Sequence, residues 1–283
     1  MASPGAPAGL EVDGLVVSFG GVRAVDGASL TAPPGSIVGL VGPNGSGKTT
    51  VLDAVSGLVR PSAGSIRVDG EDVLGYLPEQ RQACGVVRSF QDCRLFPELS
   101  VEDTLLLAED VRRPVGVLSS TLRLPWARRA ERKKGAAVDE MIAAFGLAPF
   151  RHHRITEIST GTRRVVDLAS VVLSRPRLLL LDEPTAGIAQ REAEAFVPLL
   201  RRLHELLDTT VVLVEHDVPM VFELCSSVVV METGRVVSTG TPEVVRRDPR
   251  ALAAYLGASD EALVVSGPRR ATAGEGGDDG DNR

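Results

Sequence analysis

Unbroken apolar runs alternate along this chain with stretches whose apolar residues recur at helical spacing. Ser36–Val41, Leu178–Leu181 and Thr210–Val214 contain almost nothing but aliphatic side chains. Runs of that kind offer no solvent face, so each is expected to be a strand buried on both sides. Leu10–Phe19 alternates instead, and the Gly20-Gly21 pair then turns the chain. Ser65–Val68 and Val86–Phe90 are further strand candidates, and Val228–Met231 and Arg235–Ser238 flank Glu232-Thr233-Gly234 as the arms of a hairpin. Helical spacing is expected over Thr50–Ser56, over Thr160–Ser174 with Ser159 as cap, and over Glu192–Leu207. Another helix begins near Ser100, where Asp103 completes a capping box and Leu105, Leu106 and Leu107 supply the apolar face. Thr241-Pro242-Glu243 opens a further helix with Pro in its first position.

The ends of the chain look different. Residues 1–9 are rich in Pro, Gly and Ala, and after Leu256 the chain turns polar, with Gly, Asp and Arg predominating. Neither end carries enough apolar surface to offset the entropy of ordering, so 1–9 and 257–283 are expected to be disordered. No apolar run approaches the ~18–20 residues that span a bilayer. The N-terminus has neither a basic start nor an apolar segment, so a cytoplasmic location is expected. A net charge of −6 argues against broad nucleic-acid binding, which needs a basic surface. Arg128, Arg129, Arg132, Lys133 and Lys134 do crowd one short segment, either as a solvated helix face or as a contact for a protein or for anionic lipid. Cys84, Cys93 and Cys225 form no C-x-x-C pair and read as reduced thiols.

The chemistry begins just after the first apolar run. Gly42-Pro43-Asn44-Gly45-Ser46-Gly47-Lys48-Thr49 fits G-x-x-x-x-G-K-[ST] between an expected strand and an expected helix. Glycines let the backbone approach phosphates closely and aim several N–H groups at them. Lys48 is the cation for the β- and γ-phosphates of a nucleotide, and the Thr49 hydroxyl is a ligand for Mg²⁺. A second element follows Leu178–Leu181, where Asp182 and Glu183 close a buried strand. Ligands of open α/β sheets gather at the carboxyl ends of strands. Asp182 is therefore placed to hold Mg²⁺, directly or through water, and Glu183 to act as general base toward the attacking water.

The order of these motifs resembles that of ABC transporter ATPases, over about residues 10–256. The chain carries GPNGSGKTT at 42–50, Gln91 in RSFQD, Ile158-Ser159-Thr160-Gly161-Thr162 ahead of LLLLDEP at 178–184, and His216 in VEHD. The resemblance implies that Phe19 stacks on adenine and that Thr50 belongs with Gly42–Thr49 in the ATP site. It implies that Gln91 senses Mg²⁺ and the attacking water and links the core to a helical region. Ser159 and Gly161 would bind the γ-phosphate held by a second ATPase subunit, and His216 would hydrogen-bond the γ-phosphate. Two positions depart from the family. Thr160 stands where Gly is usual, and Ala189 where an Asp usually couples the two sites.

The segment Ser18–Val25, the irregular stretch before residue 140 and the ending Ala253-Ala254-Tyr255-Leu256-Gly257 resemble the ATPases of branched-chain amino-acid importers. The implied partners are integral membrane permease subunits, a second ATPase copy or homologue, and a solute-binding protein acting through the permease. The implied place is the cytoplasmic face of the cell membrane. The alternative is a non-transport ATP switch in DNA repair or on the ribosome. The expected architecture is α/β: a P-loop NTPase core with a parallel or mixed sheet, an antiparallel β subdomain from the first ~70 residues, and an α-helical insertion over about 92–158.

Overall fold

The computed structural model describes residues 9–89, 95–112, 125–187, 190–207 and 209–256. Of the two ends expected to be disordered, 1–9 and 257–283, residues 1–8 and 257–283 lie outside that set, as does Cys93, and Gly9 lies within it.

Two sheets carry the fold. The first contains β1 (Leu10–Phe19), β2 (Val22–Ala32), β4 (Ala63–Val68) and β5 (Glu71–Asp72), ordered β2-β1-β4-β5 and antiparallel throughout. The second contains β3 (Ile37–Val41), β6 (Val86–Arg88), β7 (Leu178–Asp182), β8 (Thr210–Val214), β9 (Ser227–Glu232) and β10 (Arg235–Gly240). Its order is β10-β9-β3-β8-β7-β6, parallel from β9 to β6, with β10 antiparallel at one edge as the arm of the expected hairpin.

Every residue of β3, β7 and β8 is buried, as their apolar runs predict, with Asp182 and Thr210 as the buried polar ends of β7 and β8. Successive side chains on a strand face opposite ways, and the two hydrophobic cores follow that rule. Leu179, Leu181, Val211 and Leu213 face a core completed by α3 (Val101–Arg112), α4 (Pro125–Ala144), α5 (Thr160–Leu173) and α6 (Gln190–Leu207). Leu178, Leu180, Val212 and Val214 face the other core, with the first sheet and α1 (Lys48–Ser56). The central strands of the sheet are thus covered on both faces, while the edge strand β10 is largely open.

α1 starts at Lys48, two residues earlier than expected, because Gly47 in a left-handed conformation (φ 100°) serves as its cap and accepts from the Val51 N–H at 3.0 Å. Its other end is closed by Arg81 of α2 (Pro78–Ala83), which is almost fully buried. The guanidinium donates to the Ala54 carbonyl, to Val55 O at 2.8 Å, to Tyr76 O at 3.2 Å and to Leu74 O at 3.3 Å. A cation on the last carbonyls of a helix satisfies orphan acceptors and complements the helix dipole.

Between residues 92 and 158 the described elements are α3, α4 and two short 3-10 turns at Ala148–Phe150 and Ile155–Glu157. Ser100 caps α3 as expected, its Oγ accepting from the Asp103 N–H at 3.0 Å and donating to Asp103 Oδ2 at 2.6 Å. The basic segment of α4 is divided by the structure. Arg129, Arg132 and Lys133 are exposed, but Lys134 is buried and ion-paired with Asp110 and with Glu131 at 3.5 Å. Lys134 belongs to the α3–α4 packing and leaves the solvated face. β6 is Val86–Arg88, and Ser89 is no longer strand; Phe90, where the expected strand ended, lies outside the described residues. The remaining helices are α7 (Val218–Leu224), α8 (Pro242–Val245) and α9 (Pro249–Leu256). No helix among the described residues is long and apolar enough to cross a membrane.

Candidate active site

Parallel pairing aligns the strand ends that carry the chemistry. Leu40 of β3 pairs with Val214 of β8, and Val214 pairs with Asp182 of β7. One row across the sheet therefore leads into Gly42–Thr49 from β3, into Glu183 from β7 and into Glu215-His216 from β8.

The loop after β3 is clamped from two sides. A Cβ on Gly42 would stand 2.1 Å from the Met231 carbonyl oxygen, and one on Gly47 would stand 2.4 Å from that of Ala24. Both positions have positive φ, so glycine is required for space and for conformation alike. The β9–β10 turn braces the loop through Gly234 N–H to Ser46 O at 3.0 Å. Inside the loop, Lys48 is buried and its Nζ donates to Gly42 O at 2.9 Å and Pro43 O at 3.0 Å. Burial pushes Lys48 below its ordinary value, opposed by the nearby Glu183 and Asp182 carboxylates. The Ser46 hydroxyl is buried without a hydrogen-bond partner. A buried ammonium, an unmatched hydroxyl and the N-terminus of α1 together form an excess of donors, which fits a polyphosphate.

Asp182 is buried, with Oδ1 3.5 Å from the Thr49 hydroxyl. Its Oδ2 accepts from Arg88 Nη2 at 2.8 Å, and Arg88 Nη1 also bonds Asp53. One carboxylate oxygen and one hydroxyl fit a hard cation that keeps most of its ligands as water and phosphate oxygen, as Mg²⁺ does. No cluster of three or more His, Cys, Asp or Glu that would hold a metal by itself occurs among the described residues.

Glu183 adopts a left-handed backbone (φ 49°), unusual for a residue with a long side chain. Its N–H bonds Val214 O at 2.8 Å, and its Oε1 lies 2.6 Å from His216 Nε2. The expected base and the histidine expected to bond the γ-phosphate are thus in direct contact. Glu215, which sequence reasoning passed over, holds both of their segments. Its buried carboxylate accepts from the Thr185 N–H (2.9 Å) and hydroxyl (2.5 Å) through Oε1, and from the His216 N–H (3.0 Å) through Oε2. Arg88 was passed over as well. The signal for each was a charge set at the end of an apolar strand.

The remaining expected site residues sit further out. Phe19 is half-exposed at the tip of the β1–β2 hairpin, paired with Val22. Ala24, two residues on from Val22, is the residue whose carbonyl touches Gly47. Ser159 caps α5, accepting from the Thr162 N–H at 3.1 Å, and Gly161 is buried in the first turn. α5 reaches the turn after β7 through Arg164 Nη2 to Ala186 O at 3.2 Å. Asn44 and Gly45 are exposed at the loop tip, while Thr50 lies partly buried in the first turn of α1. Gln91 and Ala189 lie outside the described residues.

The chain is similar to known proteins. Residues 25–186 match the family model described as ABC transporter, and residues 235–261 that described as branched-chain amino acid ATP-binding cassette transporter. The high-affinity branched-chain amino acid transport ATP-binding protein BraF of Pseudomonas aeruginosa is 36% identical over 248 residues, covering 88% of this chain and 97% of the relative. LivG of Escherichia coli K12, a high-affinity branched-chain amino acid transport ATP-binding protein, is 34% identical over the same length and the same shares. Among solved structures, a nucleotide-free ATP-binding cassette from an ABC transporter aligns with TM-score 0.74 at 24% identity, over 88% of this chain and 98% of its own. A cassette solved as a dimer in a post-hydrolysis state, bound to ADP and phosphate, aligns with TM-score 0.68 at 20% identity, over 82% and 98%. More than half of the chain matches the family model, and relatives above 30% identity cover nearly all of it: the chain belongs to the ABC transporter family, among its ATPase cassettes.

Proposed function

We propose that this chain hydrolyses ATP to power an importer of branched-chain amino acids or related amides, working from the cytoplasmic face of the cell membrane with integral permease subunits. The observation that carries the reading is the single row of strand ends that bears Asp182, Glu183 and His216 and leads from β3 into the loop before Lys48. Lys48 serves the β- and γ-phosphates within the cradle of Gly42–Thr50. Thr49 and Asp182, joined by Gln91, hold Mg²⁺, which neutralises phosphate charge when bound. Glu183 takes the proton of the attacking water, and His216, already against its carboxylate, bonds the γ-phosphate. Phe19 supplies a face for adenine.

Ser159 and Gly161 serve the ATP of a second ATPase subunit, which makes the working unit a dimer. That step is supported by the exposed Ser159 cap and by the likeness to a cassette solved as a dimer. Residues 10–256 make one ATPase domain, with about 92–158 as its helical insertion. The importer reading is supported by relatives named for high-affinity branched-chain amino acid transport along 88% of the chain, which leaves the DNA-repair or ribosomal switch without an observation in its favour.

The test pairs chemistry with transport. Glu183→Gln is expected to keep ATP binding, to lose about 10²–10⁴ in turnover, and to run as a dimer with ATP on size exclusion. In the source cells, Lys48→Ala is expected to abolish uptake of labelled leucine, isoleucine and valine. Full turnover in Glu183→Gln refutes its role as base, and unchanged uptake in Lys48→Ala refutes the importer.

A further inference from the structure

Asp182 has two oxygens, and they are used differently. Oδ1 faces the Thr49 hydroxyl at 3.5 Å, on the phosphate side. Oδ2 accepts from Arg88 Nη2 at 2.8 Å, on the opposite side. Both side chains of that pair are buried, at 7% and 2% exposure, so solvent does not loosen it. The guanidinium is itself fixed from α1, by its bond to Asp53 Oδ1 and by Ser56 Oγ at 3.4 Å. One planar fork therefore ties β6 to α1 and to β7. A lysine has no such fork, because its donors share a single nitrogen.

The consequence concerns how Asp182 meets a cation. With Oδ2 committed, the carboxylate offers one oxygen and resists turning to offer both. Mg²⁺ requires near-ideal octahedral geometry with single oxygens at ~2.0–2.1 Å, whereas Ca²⁺ accepts six to eight ligands and often takes carboxylates through both oxygens. We propose that Arg88 is a positioning residue that limits Asp182 to one oxygen toward the cation, directly or through water, and so sets the preference of the site for Mg²⁺ over Ca²⁺. This rests on the reading of Asp182 as the Mg²⁺ carboxylate.

Removing Arg88 has two opposed effects. It deletes a positive charge near the metal, which favours any cation, and it frees the carboxylate to rotate. Asp53 offsets much of that charge, so loss of orientation is expected to dominate. Partners that orient metal ligands are typically worth about 10–100-fold in metal affinity.

The experiment measures binding of a fluorescent ATP analogue to the intact chain in EDTA, in a Mg²⁺ titration and in a Ca²⁺ titration. Arg88→Gln and Arg88→Lys should both bind as wild type does in EDTA. Both should need about 10–100-fold more Mg²⁺ for half-saturation, with little change or a gain for Ca²⁺. Wild-type Mg²⁺/Ca²⁺ ratios in both variants would overturn the proposal and leave Arg88 as a staple between α1 and the sheet. A ratio kept by Arg88→Lys and lost by Arg88→Gln would also overturn it, because charge alone would then suffice. If neither variant folds, Asp53→Asn loosens the fork while leaving Arg88 against Asp182. It should shift the ratio in the same direction by less, and an unchanged ratio overturns the proposal. Asp182→Asn separates the underlying reading. If that variant keeps metal-dependent binding, or if wild type has none, Asp182 is not the metal carboxylate and the role of Arg88 falls with it.

Discussion

Glu215→Gln is a stringent probe of the site, because it changes one atom and leaves the shape intact. The carboxylate accepts from two backbone N–H groups through different oxygens, Thr185 through Oε1 and His216 through Oε2. An amide has only one oxygen. Whichever way it is turned, its NH₂ faces a backbone N–H, so one partly buried donor loses its acceptor. A hydrogen bond to a charged group contributes about 1.5–3 kcal/mol net, and an orphaned buried donor costs a similar amount. The variant should therefore lose roughly 2–3 kcal/mol of stability, a large share of the ~5–15 kcal/mol of an ordinary domain. The effect on chemistry should be larger than the effect on binding. Thr185 lies two residues after Glu183, and His216 touches Glu183 at 2.6 Å. Displacements of about 1 Å at reacting groups cost on the order of 10²-fold in rate. The assay is a urea melt with kcat and nucleotide Kd on one preparation. A large fall in kcat with nearly unchanged Kd is expected. Wild-type stability together with wild-type kcat would refute the claim that this carboxylate anchors Glu183 and His216.

Gly47→Ala should be costly for a different reason: the left-handed backbone alone costs roughly 1–2 kcal/mol, and the new methyl would meet the Ala24 carbonyl at 2.4 Å. A lower urea midpoint with loss of ATP-analogue binding is the expected outcome, and normal binding would show that β2 does not confine the loop. Asp167 supplies a pH dependence, since burial pushes its carboxyl up to about 6 while Arg164 pulls it back. Between about pH 4 and pH 6 the folded chain keeps a proton that the unfolded chain has released, so this group lowers stability as pH rises and its penalty is constant above that window. Asp167→Asn should accordingly be more stable than wild type at about pH 7.5, with the advantage shrinking toward pH 4.5, and a difference independent of pH would refute it.

The sequence by itself determined what local backbone and side-chain period determine. β3, β7 and β8 were legible because a run without polar positions can only be buried on both faces, and β1 because one face alternates. The phosphate loop was legible because its glycines, lysine and threonine act within a single stretch. Ser159 and Ser100 were legible as caps because their partners lie three residues away. Other elements were obscure for identifiable reasons. β2 is interrupted near Asp26-Gly27, where its register against β1 slips, and α7 spans only seven residues, too few to show a period.

Tertiary structure decided everything that joins one strand end to another. The Arg88–Asp182 bond spans 94 positions in sequence, Glu183–His216 spans 33 and Thr185–Glu215 spans 30. Lys134 looked like one more surface cation until α3 packed against α4 and buried it against Asp110. The contacts between strand ends depend on parallel pairing, which sets distant strand ends in one row. No local pattern encodes that row, because it follows from which buried strands lie side by side, and that is fixed by the packing of the two cores as a whole.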